Sequence, residues 1–115
     1  MYKEIEQVKS FDEMEEILIK QSSEYKLIDE ELKSLKYRNL VKKLGARYLI
    51  KKTILDFLGL SEGNDEIEIE NEDSGKPVLS FRGIVDEKIK QMKVNCIKIS
   101  ISHSRNYVAT LVVIE

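Results

Sequence analysis

The chain has 115 residues, 42% apolar and 35% charged, with a formal net charge of −2. That length fits one domain, and that balance is the composition of an ordinary folded protein rather than a disordered chain. Interspersed charges of both signs argue against a protein devoted to wrapping nucleic acid, and no stretch has the apolar run that a membrane helix needs.

Met1-Tyr2-Lys3-Glu4-Ile5-Glu6 has no apolar signal-peptide core, so the chain is expected to be cytoplasmic. The single cysteine, Cys96, allows no intrachain disulfide and makes no zinc site. Its apolar neighbours mark it as a small, buried strand residue.

Tyr2 to Lys9 alternates weakly and predicts a short strand with Ile5 and Val8 as its apolar members. Ser10-Phe11-Asp12-Glu13 has the form of a capping box, followed by Met14, Ile17 and Ile19, and predicts a helix over about Phe11 to Lys20. Gln21-Ser22-Ser23 breaks it. Asp29-Glu30-Glu31 opens a second, shorter helix through about Lys36. The longest helical segment runs from about Arg38 to Leu58 and stops at Gly59. Ala46, Ile50, Ile54 and Leu58 form a core-facing row, while Lys43, Arg47 and Lys51 repeat at the same spacing as a basic ridge. Leu44, Tyr48, Lys52 and Leu55 make a third row, apolar except for Lys52.

After a loop from Leu60 to Asp65, Glu66 to Glu70 alternates with period two and reads as a half-buried strand. Asn71 to Gly75 is a turn cluster, and the segment restarting at Lys76-Pro77-Val78-Leu79 is expected to pair back as a hairpin. Asp86 to Met92 predicts a short helix. Asn95 to Ser102 and Tyr107 to Glu115 read as a second hairpin around His103-Ser104-Arg105-Asn106. Helices first and hairpins after make an α+β pattern, an antiparallel sheet packed on a long helix.

His103 is the only histidine, flanked by hydroxyls in Ser100-Ile101-Ser102-His103-Ser104. An imidazole beside hydroxyls at a strand end can bind phosphate or orient a proton donor, although a lone turn histidine is more often idle. The ridge of Lys43, Arg47 and Lys51 suits a phosphorylated ligand or an acidic partner, although most such ridges are solvated helix faces. Gly75-Lys76-Pro77 by itself is a hairpin bend.

Taken together and in order, these blocks resemble the phosphopantetheinyl transferases, more closely the holo-acyl-carrier-protein synthase branch. The helix block Ala46-Arg47-Tyr48-Leu49-Ile50-Lys51-Lys52 is similar to that family's Gly-Arg-aromatic-x-x-Lys-Glu. It is followed by the acidic strand, by Gly75-Lys76-Pro77, and by Ser100 to Ser104, Tyr107 and Val113-Ile114-Glu115. The resemblance covers most of the chain from Leu27 onward.

It implies transfer of the phosphopantetheine arm of coenzyme A to a serine of an acyl or peptidyl carrier protein. Fatty-acid and polyketide carriers are among the possible acceptors. The alternative it leaves open is an inactive relative that binds a carrier protein or coenzyme A without transfer. By the resemblance, Arg47, with Arg38 and Lys42 or Lys43 before it, holds phosphates of coenzyme A. Lys51 acts near the diphosphate or in proton transfer, and His103, Ser100, Ser102 and Ser104 line the cofactor pocket beside Lys76 and Pro77. The branch's trimers, with the pocket between subunits, imply a homotrimer here.

Magnesium is the point of departure. The family's first-strand Asp corresponds to Glu4, and Lys52 stands where the second ligand, a Glu, is expected. A protonated ammonium has no lone pair for a metal. It also repels one: a unit charge ~4 Å from a divalent ion costs about 8 kcal/mol at an effective dielectric of about 20. The expectation is that Lys52 itself supplies positive charge to the diphosphate.

Overall fold

The computed structural model describes residues 2–21 and 35–115. Its elements are β1 (Lys3–Ser10), α1 (Phe11–Gln21), α2 (Leu35–Leu58), β2 (Ile67–Asn71), β3 (Pro77–Phe81), α3 (Gly83–Gln91), β4 (Ile97–His103) and β5 (Tyr107–Ile114). This is the α+β arrangement expected, with every strand pair antiparallel. The short helix expected over Asp29 to Lys36 lies outside the described residues, save for its last two positions, which open α2.

The capping box starts α1. The Glu13 amide donates to Ser10 Oγ and the Ser10 amide donates to Glu13 Oε1, both at 3.1 Å, satisfying two amides that the first turn leaves unpaired. Those bonds, the backbone one foremost, hold the Glu13 carboxyl below its ordinary value. Helix α2 runs 24 residues without a proline. It ends as the glycine predicted, with Gly59 at φ +73°. The Leu60 amide donates to the Leu55 carbonyl at 2.9 Å and the Gly59 amide to Asp56 at 3.2 Å, a Schellman closure.

Helix α2 is the spine of two apolar clusters. Its first half packs Val41, Ala46 and Leu49 against Phe11, Met14 and Leu18 of α1 and Val108 of β5. Its second half packs Ile50, Ile54, Leu55 and Leu58 against Ile67, Ile69, Val85, Val112 and Ile114. Gly45 lets the helices close, since a Cβ there would lie 2.9 Å from Met14 Cε.

The three-stranded sheet has the order β1-β5-β4, and β2-β3 form a separate hairpin. Period-two alternation turns Val108, Thr110, Val112 and Ile114 of β5 inward. It also separates the two apolar residues of β1: Ile5 packs inward, whereas Val8 is 52% exposed. Residues three apart in a strand face opposite ways. Cys96 proves half-buried rather than buried and sits just before β4, its backbone bonded to Glu115.

Two boundaries shift for one reason. The alternation of Glu66 to Glu70 places Glu66 in a strand, but it closes a 3-10 turn (Asn64–Glu66) and β2 begins at Ile67. Its carboxylate accepts the Val85 amide at 2.9 Å, holding the first turn of α3. The helix therefore starts at Gly83, three residues before the position expected from Asp86. A Cβ on Gly83, whose φ is +61°, would meet that carboxylate at 2.6–2.8 Å.

Candidate functional site

The first half of α2 leans over the tip of the β2–β3 hairpin and the end of β4, and a cavity of about 510 Å³ lies between them. Helix α2 contributes Asn39, Lys42, Lys43, Ala46 and Arg47, the hairpin Ile69, Asn71, Gly75 and Pro77, and β4 Ile101 and His103. Three residue groups far apart in sequence, Lys43 and Arg47 of the basic ridge, Gly75 and Pro77 of the bend, and the histidine, thus line one space. Among the described residues the lining carries three cations and no carboxylate.

Lys42 is the informative member. It is 8% exposed and has no ion pair or hydrogen bond among the described residues. Its stem is packed away while its ammonium is left to the cavity, where an anion would give it the charge-assisted partner it lacks. The sequence held a signal for this: Ala46, Ile50, Ile54 and Leu58 step by four, and one step back falls on Lys42. A lysine on the core-facing row snorkels its head towards open space, and here that space is the cavity.

Other expected site residues lie elsewhere. Arg38 Nη2 donates to the Arg105 carbonyl at 2.9 Å, and its guanidinium sits 4.0 Å from the centre of the Phe11 ring. It ties the β4–β5 turn to the helices. Lys51 lies on the far side of Arg47, in a shallow groove with Asp65, Glu68, Glu70 and Arg82 rather than beside His103. Ser100 and Ser102 alternate with Ile101 and His103, so they point to the opposite, outer face of the sheet, paired with Leu111 and Ala109. Ser104 and Lys76 are exposed in the turns next to His103 and Pro77.

Lys52 is exposed on the side of α2 facing β1, its Nζ 3.8 Å from Asp56 Oδ2. It lines a groove of about 300 Å³ with Gln7, Lys9, Ile17, Tyr48, Leu49, Thr53 and Asp56. Gln7 and Lys9 went unnoticed in the sequence, although they continue the inward stripe begun by Ile5. Glu4 is exposed on β1 and accepts the Tyr2 hydroxyl at 2.5 Å; it is not among the residues lining that groove. Two ammonium groups against one carboxylate do not fit a magnesium site, which needs oxygen donors. Among the described residues no three His, Cys, Asp or Glu gather as metal ligands.

No family model matches the chain. The holo-(acyl-carrier-protein) synthase of Maridesulfovibrio salexigens is 38% identical over 89 residues, 74% of this chain and 72% of that protein. Among solved structures, the enzyme of the same name from Neisseria meningitidis superposes with a TM-score of 0.66 at 19% identity, covering 97% of this chain and 96% of that one. The Helicobacter pylori holo-(acyl-carrier-protein) synthase, solved in complex with coenzyme A, superposes with a TM-score of 0.62 at 16% identity, covering 98% and 100%. The distant superpositions establish the shared fold, and the close relative establishes kinship across most of both chains: this protein belongs to the holo-(acyl-carrier-protein) synthase family.

Proposed function

We propose that the chain transfers the phosphopantetheine arm of coenzyme A to a serine of an acyl carrier protein. The observation that carries this is Lys42, largely buried and without a partner among the described residues, in a cavity shared with Lys43, Arg47 and His103. Coenzyme A carries a 3′-phosphate on its nucleotide besides the diphosphate, and such a lining fits that 3′-phosphate. Arg47 pairs phosphate oxygens as a planar fork and the two lysines act as point charges. His103 adds a ring nitrogen as donor, and Gly75 with Pro77 give the nucleotide a side-chain-poor wall beside Lys76. The Helicobacter pylori relative with coenzyme A bound supports the same cofactor here.

Lys51, one turn beyond Arg47, lies off this cavity beside Asp65, Glu68 and Glu70 and adds to the cationic flank of α2 without lining the cavity. Serine attack on phosphorus places extra charge on the departing 3′,5′-ADP, and fixed cations along α2 offset it. Magnesium has no part in this reading, because Lys52 occupies the place of a ligand. The carrier is recognised through the exposed basic residues of α2, Lys43 foremost, by charge complementarity with an acidic helix. The chain works as one domain, as a cytoplasmic homotrimer; among the described residues no helix is long and apolar enough to cross a membrane. The outer sheet face, with Val8 and Tyr107 more than half exposed beside Ala109, Leu111 and Val113, supplies the apolar surface for self-association. Ser100 and Ser102 lie on that face and approach a cofactor held by a neighbouring copy.

Incubating the chain with coenzyme A and an apo carrier tests the reading. The carrier should gain the mass of one phosphopantetheine. A carrier left unmodified, with coenzyme A still bound to the chain, supports binding without transfer and overturns the proposal.

A further inference from the structure

The groove at Lys52 holds an arrangement that the cavity at Arg47 does not explain. Tyr48, Lys52 and Asp56 line both this groove and a larger one of about 840 Å³ that adds Glu62, Asp65 and Glu66, so Lys52 stands on the ridge between an acidic groove and this one beside β1. Its ammonium has one long ion pair, 3.8 Å to Asp56, and its side chain is 58% exposed. Lys9 enters the same groove from β1, with its own long pair of 3.9 Å to Glu13. Neither contact fixes its lysine as a short hydrogen bond would. The amide of Gln7 adds a neutral donor, and Asp56 is the only carboxylate in the lining among the described residues.

Such a lining repels a divalent cation and attracts phosphate oxygens. Ammonium and amide donors form charge-assisted bonds to phosphate without an intervening metal. We infer that this groove binds the diphosphate of coenzyme A directly, through Lys52, Lys9 and Gln7, and needs no divalent cation to do so. This rests on coenzyme A being the donor substrate. What it adds is the loss of metal dependence and two ligand residues on β1. The positive charge that a magnesium ion would bring from solution is built into the chain at fixed positions.

Calorimetric titration of the purified chain with coenzyme A, in EDTA and again in magnesium, tests the inference without measuring transfer. The expected affinities agree within about twofold between the two buffers, and Lys52→Ala and Lys9→Ala each weaken binding by about tenfold or more. Lys52→Arg should restore most of the loss, since a guanidinium keeps the charge. Both lysines lie outside the apolar clusters, and an unchanged thermal midpoint checks that each variant folds. Binding that vanishes in EDTA and returns with magnesium overturns the inference and leaves the transferase reading intact. So does binding that is equally tight in Lys52→Ala. Coenzyme A that binds in neither buffer overturns both together.

Discussion

Among the described residues Lys42 and Thr110 are both buried polar residues without partners, and they lead to opposite expectations. Thr110 is 2% exposed, and its Oγ1 has no hydrogen-bond partner among the described residues. It points from the middle of β5 into the apolar layer under α2, between Gln7 and Ile101 on the flanking strands. A desolvated hydroxyl without a partner is a net cost, so Thr110→Val, which keeps the β-branched shape, should stabilise the fold by about 1 kcal/mol. Urea denaturation reads this as a higher midpoint at unchanged slope. A midpoint lowered by a similar amount would show that the hydroxyl is satisfied. Lys42 lines a cavity instead of packing on methyls, and its ammonium is left a place where an anion can bind. The difference lies in what each side chain looks onto, and neither residue type announces that in sequence.

At the scale of elements, local chemistry decides where α1 begins. Ser10→Ala removes the hydroxyl that accepts the Glu13 amide and should cost about 1 kcal/mol, read by chemical denaturation near neutral pH. The same box carries a pH signature. Glu13 has a carboxyl depressed below the ordinary 4.5, so its contribution is present above that value and is lost as pH falls through the lower folded one. The gap between wild type and Ser10→Ala should therefore narrow on acidification; a constant gap down to strongly acid pH would mean that the carboxylate takes no part. Capping box, terminal glycine and both hairpins were legible because each is written within a few neighbouring residues. Glu66 was not. Its alternation with Ile67 and Ile69 says strand, while its side chain serves the backbone of Val85, 19 residues on. Arg38 was likewise read as a phosphate ligand from its place before Arg47, yet its contacts are with Phe11 and the β4–β5 turn. Long-range partners of this kind depend on how elements pack, which local periodicity does not encode.

For the molecule as a whole, α2 does two jobs with different faces. One face anchors both apolar clusters; the cationic flank closes over the hairpin tip and the end of β4. That division was visible as rows stepping by four, and the convergence of Arg47 with His103 emerged from the order of motifs. What the rows did not show was that Lys51 faces away from His103, into a groove that Arg47 shares with Asp65, Glu68 and Glu70. The outer face of the three-stranded sheet is the second large-scale feature. Light scattering at micromolar concentration should return the mass of three chains, and Leu111→Glu should lower it; a monomeric mass for the unaltered chain would contradict assembly through this face. The central claim is that the cavity of Lys42, Lys43, Arg47 and His103 serves phosphopantetheine transfer. Its most direct measure is the intact mass of an apo acyl carrier protein followed over time with coenzyme A. Wild type should convert the carrier to the phosphopantetheinylated form, and the Arg47→Ala/His103→Ala double variant should do so about 100-fold more slowly. Equal rates for the two proteins would contradict the account.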